Sequence, residues 1–319
     1  MASNKSRAQS ETLQFFRGGK ALREDLVRRC LRDFQETKKA RFQERSAIAL
    51  QAANDLSEAK KSAQSASSDP QTAKALQGLL GIHKKLAKHK LALPKVVPGP
   101  GGIVAGTISV TRTPPYDFQE QFPSYSALGL KPVLTGSPNK ITGQISSSAV
   151  TAAEPGYSNG DMYTAVGILF LPPAPGILTV YANPIYSYEG WTESFPPLSY
   201  SSYAPVQSLL TGSLNIYAYN VAGWPLNFAT GAGQPFVQAI ENQPGPLVLK
   251  DGFNLQASVS ASVAVDQTQL CLMFVAADSS VFGYGPPGGS SGGSVAGAVL
   301  SITVPSISYD FQIQPVVRL

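Results

Sequence analysis

Charged residues are scarce in this sequence, and the scarcity is concentrated after residue 100. Asp, Glu, Lys and Arg make up 14% of the chain, whereas ordinary globular proteins hold about a quarter. Residues 1–100 contain 20 of the 25 Lys and Arg but only 9 of the 20 Asp and Glu, so their net charge is +11 and that of the remainder is −6. A large, weakly charged surface favours association. We therefore expect the C-terminal part to form an oligomer.

Cysteines and long apolar runs are also rare. The two cysteines, Cys30 and Cys271, are far apart, and the first ten residues are polar. This predicts two free, buried thiols, a reducing compartment and no export signal. The best candidate for a membrane span, residues 165–182, contains three prolines and has strand-like flanks, so no membrane helix is expected. These observations predict a cytoplasmic protein.

Catalytic and metal-binding patterns are weak. The two histidines, His83 and His89, lie six residues apart and would not share a helix face well, which makes them a poor metal pair. Residues 288–292 match the hydrolase pattern GxSxG, but no histidine follows them. We expect no enzyme activity, no cofactor and no bound metal, although a metal held between several subunits stays open.

A segment rich in proline and glycine divides the chain. Residues 93–106 read LPKVVPGPGGIVAG, which favours neither a helix nor a central strand. The predicted organisation is a basic helical arm over residues 1–92, a hinge over 93–106 and a β-sandwich domain over 107–319. Within the arm, apolar spacing predicts one helix from about Lys20 to Ser62 and another from Pro70 to about Leu91. Their apolar faces are expected to pack on each other or on a neighbouring subunit.

The part after the hinge shows short strand-like runs separated by Gly and Pro. The clearest run is Phe253 to Val265, in which apolar residues alternate with polar ones. Residues 268–276 are apolar on both faces, as in a central strand. The other expected strands lie near 103–112, 142–150, 162–171, 176–186, 212–219, 235–240, 246–249, 295–304 and 306–316. This pattern predicts a mainly β fold, an antiparallel β-sandwich or jelly roll preceded by the basic α-helical arm.

An internal similarity places two tryptophans in matching contexts. Ile185-Tyr-Ser-Tyr188 leads to Gly190-Trp191 and then Phe195, and Ile216-Tyr-Ala-Tyr219 leads to Gly223-Trp224 and then Phe228. Two hypotheses fit. Trp191 and Trp224 could be platforms for a ligand such as a sugar, or they could fill the core or subunit contacts at two equivalent strand–loop corners. The second is the expectation, with a cost of a few kcal/mol when either is replaced by Ala.

The basic arm predicts nucleic-acid binding. Near the hinge, lysines occur with no acidic residue among them, and such charge neutralises phosphate backbones without reading sequence. Acids accompany the basic residues of the first helix, so a salt-bridged surface is an equal alternative there. The candidate binding residues are Lys74, Lys84, Lys85, Lys88, Lys90, Lys95, Arg28, Arg29, Arg32, Lys38, Lys39, Arg41 and Arg45. Binding to an anionic membrane is a further alternative.

The basic arm, the hinge and the sparsely charged β domain together resemble, in organisation, the coat proteins of small icosahedral RNA viruses. The resemblance implies a jelly-roll domain that self-assembles into a large homo-oligomer and an arm that contacts packaged RNA without sequence specificity. It also implies assembly in a host cytoplasm and residence in a virion. The arm departs from the pattern. Such arms are often arginine-rich and disordered, whereas this one is predicted to be mostly helical and carries many acidic residues.

Another class of function stays open beside the coat hypothesis. A toxin-like protein would use membrane-active helices and a β-sandwich that binds a receptor or a carbohydrate. Trp191 and Trp224 would be central to a carbohydrate-binding module.

Overall fold

The structure is a computed structural model, and it describes most of the chain from residue 106 onward. The described ranges are 106–153, 156–195, 206–220, 227–241, 247–255, 257–285 and 293–314, together with positions 29, 30, 32, 33, 36, 39, 40, 42–44, 47 and 51. Only Gly106 of the expected hinge lies within these ranges.

Within these ranges the chain forms β-strands, numbered in chain order. Their bounds are β1 Thr107–Arg112, β2 Phe118–Leu128, β3 Val133–Asn139, β4 Gln144–Ala153, β5 Gly156–Phe170, β6 Gly176–Ala182, β7 Ile185–Phe195, β8 Val206–Asn220, β9 Asn227–Glu241, β10 Val248–Asn254, β11 Val259–Val265, β12 Gln269–Gly285, β13 Gly293–Thr303 and β14 Ile307–Ile313.

The strands form three antiparallel sheets. Sheet 1 has the order β1-β14-β6-β11, sheet 2 the order β10-β7-β13-β4-β3, and sheet 3 the order β2-β5-β12-β8-β9. In sheet 2, β4 and β13 pack on β12 of sheet 3, and in sheet 1, β11 packs on β8 and β9. Sheets 1 and 2 therefore face the same side of sheet 3. The expected mainly β, antiparallel sandwich is confirmed.

One core lies between sheet 3 and the other two sheets. Alternate residues of the long central strand β12, such as Met273 and Val275, point into it and are fully buried. Sheet 1 contributes Phe311, whose ring centroid lies 5.3 Å from that of Phe170 on β5. The intervening residues of β12, including Phe274, are also buried, on the opposite face of sheet 3. The expectation of a central strand apolar on both faces is thus confirmed.

The expected strand over residues 253–265 is wrong as a single element. Its first part belongs to β10, which pairs with β7 in sheet 2, and its second part is β11, which pairs with β6 in sheet 1. Phe253 and Leu255 are exposed, whereas Val259 and Val263 are buried. The alternating pattern continues across the point where the chain leaves one sheet for another, so periodicity alone does not show the break.

Two strands that the sequence does not predict, β2 and β3, form sheet edges. They contain Pro123 and Pro138, and proline argues against a strand because it has no backbone N–H to donate. Edge positions tolerate this loss, because a donor on the open side has no ladder partner to satisfy. Because these prolines are turn signals in the sequence, the sequence pattern does not predict β2 and β3 as strands.

Part of the expected arm helix is described. Every described position between Arg29 and Gln51 is helical, Cys30 and Phe42 are buried, and Arg32 and Lys39 are exposed. The rest of the arm lies outside the described residues. Among the residues that are described, no helix is both long and apolar enough to cross a membrane.

Candidate functional site

One face of sheet 2 points away from the core and carries the candidate site. We call it the open face. Its side chains come from alternate positions of the five strands, and many are small or polar. Among the described residues, no other sheet packs on this face. It consists of Leu249, Asp251 and Phe253 on β10, Ile185, Ser187, Glu189, Trp191 and Glu193 on β7, Val295, Gly297, Val299, Ser301 and Thr303 on β13, Gln144, Ser146, Ser148, Val150 and Ala152 on β4, and Val133, Thr135, Ser137 and Asn139 on β3.

Trp191 lies in the middle of a row that crosses the open face. The strand registers pair Leu249 with Trp191, Trp191 with Gly297, Gly297 with Val150, and Val150 with Val133. Neighbouring strands are about 4.8 Å apart, so the row is about 19 Å long. We call these five residues the apolar row.

The indole of Trp191 lies across Gly297. A Cβ built on Gly297 would meet the indole carbons Cζ2, Cε2 and Cη2 at 1.9, 2.2 and 2.3 Å, so the ring occupies the space that a side chain would take. One side of the ring covers the glycine backbone, and Trp191 remains half-buried. Only glycine at position 297 allows this placement.

The backbone below the indole is held from the core side. Ser208 of β8 is buried, and its Oγ donates a hydrogen bond to the carbonyl oxygen of Gly297 at 2.8 Å. Gly190, next to Trp191, faces the same serine, and a Cβ there would lie 3.0 Å from Ser208 Oγ. Sheet 3 therefore fixes β13 beneath Trp191.

Three carboxylates flank Trp191. Glu189 and Glu193 lie two residues to either side on β7, which places them on the same face of the sheet. Asp251 lies opposite Glu189 on β10. Among the strand residues of the open face named above there is no Lys or Arg, so the surroundings of the indole are acidic.

The edges of sheet 2 expose large apolar side chains. On β10, Leu249 and Phe253 are 56% and 76% exposed, and on β3, at the opposite edge, Val133 is 66% exposed. Neither β10 nor β3 has a second strand partner among the described residues. Leu247 and Leu255 continue the exposed apolar surface beside β10, and Leu128 and Leu130 continue it beside β3.

The outer face of sheet 3 is different, and we call it the covered face. Its residues pack with Cys30 of the arm helix in one cluster, which comprises Phe118, Phe122, Tyr163, Ala165, Tyr219, Leu270, Leu272, Phe274 and Ala276. The Tyr219 hydroxyl donates a hydrogen bond to Asp33 of the same helix. Burial, followed by the nearby Cys30 and Asp33, raises the pKa of Tyr219.

Both thiols are free and buried, as the sequence predicts. Burial, with a further contribution from Asp33, raises the pKa of Cys30 from 9.0 to about 12. Burial and the negative charge of Asp266 do the same for Cys271. Because a thiolate is the reactive form, both cysteines are poor nucleophiles in the folded chain.

Few of the predicted nucleic-acid-binding residues lie in the described part of the chain. Arg29 is half-buried, and Arg32 and Lys39 are exposed on the same helix as Glu36 and Glu44. Nucleic-acid binding by the whole set stays a prediction. The other candidates lie outside the described residues, namely Lys74, Lys84, Lys85, Lys88, Lys90, Lys95, Arg28, Lys38, Arg41 and Arg45.

The Gly-Trp pair is not a turn at its first occurrence. Gly190 and Trp191 lie within β7, which corrects the prediction of a strand–loop corner there, whereas Trp224 lies outside the described residues. The sequence patterns alone do not point to Glu189, Glu193 or Gly297. Glu189 and Glu193 could be identified from the sequence, because residues two positions from Trp191 share its face once the segment is recognised as a strand. No sequence pattern identifies Gly297, because its contact with Trp191 depends on the pairing of β13 with β7.

Comparison with known proteins does not assign a family. No family model and no curated protein matches the chain. Similar solved structures include the K1 cleaved adhesin domain of Lys-gingipain from Porphyromonas gingivalis W83, with 8% identity over 65% of this chain and 99% of that one and a TM-score of 0.20. TmCBM61 in complex with beta-1,4-galactotriose has 8% identity over 46% and 86%, with a TM-score of 0.13. A structure of infectious bursal disease virus Gx strain has 12% identity over 68% and 45%, with a TM-score of 0.12. TM-scores this low do not bear on function.

Proposed function

We propose that this chain is a coat-type structural protein that assembles through its β domain. The observation that carries the proposal is the exposure of apolar side chains at both edges of sheet 2. An open strand edge presents unpaired backbone groups, and an apolar edge favours pairing with another chain. Phe253 on β10 and Val133 on β3 mark the two edges.

Because these two edges differ, contact between them is head-to-tail. The β10 edge of one copy would meet the β3 edge of the next, and repetition of that contact produces a ring when the rotation closes and a filament when it does not. A shell of such copies agrees with the low charge of the domain. In this proposal the domain is a jelly-roll variant with no catalytic role, and the assembly is a virion formed in a host cytoplasm.

Sedimentation velocity of the full chain tests the assembly. We expect large particles at moderate salt, and their loss in the Val133→Glu and Phe253→Glu variants, because a buried unpaired carboxylate is costly. Ile141→Glu is the matched control, since Ile141 is 64% exposed but lies in the turn after β3. A monomeric wild type over a wide concentration range, or particles that persist in both edge variants, would contradict the proposal.

The basic arm supplies the second part of the proposed function, which is contact with RNA. Five lysines, at positions 84, 85, 88, 90 and 95, occur without an acid among them. Replacing Lys84, Lys85, Lys88 and Lys90 with Gln should weaken binding to all RNA sequences alike. It should also flatten the slope of log affinity against log salt by about three to four units, because each phosphate contact contributes nearly one.

Fluorescence anisotropy with a random RNA measures this slope. Lys131→Gln is the control, because Lys131 is exposed on the β domain and far along the chain from the lysine segment. RNA binding that does not respond to salt would overturn the assignment. Leakage of anionic vesicles by a chain that does not bind RNA would indicate the membrane-active alternative instead.

A further inference from the structure

We infer that the open face of sheet 2 is a binding site for an uncharged glycan, with Trp191 as its stacking platform. The inference does not require assembly, because every residue that it uses belongs to one copy. It assigns a role to the Gly-Trp pair at residues 190–191 that the coat-type function leaves unexplained.

The first argument is the placement of the indole. An aromatic residue that serves only the core turns into it, whereas Trp191 projects from the opposite face of its sheet and rests on Gly297. Its ring is fixed from below, because Ser208 holds the Gly297 carbonyl. A rigid ring with its outer side available offers an apolar surface at low cost in conformational entropy. Sugar rings present flat C–H surfaces of the kind that such a ring accommodates.

The second argument is the shape around the ring. The apolar row runs from Leu249 through Trp191 and Gly297 to Val150 and Val133 without a charged side chain. This gives a track about 19 Å long across the strands. A track of this length suits an extended chain of sugars rather than a single compact molecule.

The third argument is the charge beside the row. Glu189, Glu193 and Asp251 bring carboxylate oxygens to the β7–β10 side of the track. Carboxylates accept hydrogen bonds from hydroxyl groups, which glycans supply in number. The same three charges, with no basic residue among the strand residues of the open face, repel sulfated or carboxylated glycans. The chemistry therefore selects an uncharged chain.

Affinity electrophoresis of the full chain tests the inference. The probes are gels that contain hydroxyethylcellulose, xylan, β-1,4-galactan or dextran, with heparin and polygalacturonate as anionic gels. We expect retardation by at least one uncharged polysaccharide and by neither anionic one. Trp191→Ala should weaken that retardation at least tenfold, while Trp191→Phe should retain part of it because the phenyl ring preserves stacking.

Gly297→Ala provides a separate test of the platform. The added methyl group must displace the indole, so retardation should fall as in Trp191→Ala although Trp191 itself is present. Tyr125→Ala is the matched control, because Tyr125 is an exposed aromatic residue on β2 of sheet 3, outside both the open face and the two edges of sheet 2. It should leave retardation unchanged. Circular dichroism and sedimentation show whether each variant keeps its fold and its oligomeric state.

Fluorescence identifies the residue that responds. The chain has two tryptophans, so Trp224→Phe leaves Trp191 as the only one, and the bound polysaccharide should then shift or quench its emission. No retardation by any of the uncharged probes, or equal retardation of folded Trp191→Ala, would overturn the inference. Binding to poly-lysine alone would also overturn it, by indicating a cationic partner. Loss of particles with glycan binding intact would count against the coat-type assembly only.

Discussion

The outer faces of sheets 2 and 3 lie on opposite sides of the same core, but one is covered by a helix and the other carries the candidate site. The covered face of sheet 3 carries Phe118, Tyr219 and Phe274, and all three are buried in a cluster with Cys30 of the arm helix. The open face of sheet 2 carries one large aromatic residue near its centre, Trp191, and it is only half-buried. The aromatic side chains on the outer face of sheet 3 are therefore buried against a helix, whereas the central one on sheet 2 remains partly exposed.

Side-chain volume explains the difference. Stacked and edge-on rings fill the covered face, as between Phe274 and Tyr217 at 5.6 Å, and they leave a large apolar surface that favours burial beneath a helix. The open face has serines on three neighbouring strands, at Ser146, Ser187 and Ser301, and gains less from a cover. The serines of the central strands and the fixed tryptophan agree with the glycan site inferred above.

The largest expected effect is on the covered face. Phe274→Ala should lower the free energy of unfolding by about 3–5 kcal/mol, because it removes a ring that is 2% exposed and leaves a cavity. At a concentration where sedimentation shows monomers, Phe253→Ala, on the open face, should change it by less than about 0.5 kcal/mol. Urea denaturation followed by far-UV circular dichroism measures both.

This pair of variants decides whether the two faces differ energetically. Equal losses in the monomer would mean that Phe253 is buried within one chain. Repeating the measurement at a concentration where sedimentation shows assembled particles measures the added cost of removing Phe253 from the proposed interface.

The next effect comes from the buried thiols, one on each side of sheet 3. In the fold the pKa values of Cys30 and Cys271 are raised to about 12, whereas an unfolded thiol titrates near 9. Above pH 9 the unfolded state therefore binds fewer protons than the folded state. The contribution is complete below pH 9 and is lost as the pH rises toward 12, by about 1 kcal/mol per thiol at pH 10.

A double variant isolates this loss from other titrations. The free energy of unfolding of wild type and of Cys30→Ser/Cys271→Ser is compared at pH 8 and pH 10. Tyrosines and lysines titrate in both proteins, so the wild type should lose about 2 kcal/mol more than the variant. Equal losses of the free energy of unfolding in the two proteins would show that the pKa values of the two thiols are not raised in solution.

The fold follows from the sequence where burial and periodicity agree. The two-sided apolar segment of β12 predicts a central strand, and the structure places it between β5 and β8. Prediction fails where a local signal has another cause. Pro123 and Pro138 indicate turns, but they lie in edge strands, where the missing N–H costs little.

The candidate site could be predicted only in part. The sequence selects Trp191 through its repeated context, but Gly190 suggests a turn because glycine often occurs in turns. Its role in the structure is to let Ser208 approach the sheet. The partner of the indole, Gly297, lies more than a hundred residues away, and no local pattern connects the two. Contacts of this kind depend on strand order, which the sequence alone does not specify.

The last effect is the stability cost of removing Trp191, which compares the two faces most directly. A core tryptophan would cost about 3–5 kcal/mol on replacement by Ala. Trp191 is half-buried and contacts a glycine backbone rather than a packed core, so Trp191→Ala should cost about 1–2 kcal/mol, as for most substitutions outside a core. This revises the few kcal/mol expected from the sequence.

Urea denaturation of Trp191→Ala and Trp191→Phe, followed by far-UV circular dichroism, checks this value. Trp191→Phe should recover part of the loss, because a smaller ring still covers Gly297. A loss near that of Phe274→Ala would place Trp191 among the structural residues and remove the contrast between the two faces. A loss of 1–2 kcal/mol together with at least a tenfold loss of glycan binding would show that the ring serves the ligand more than the fold. A residue that acts only on stability would not affect binding in a variant that remains folded.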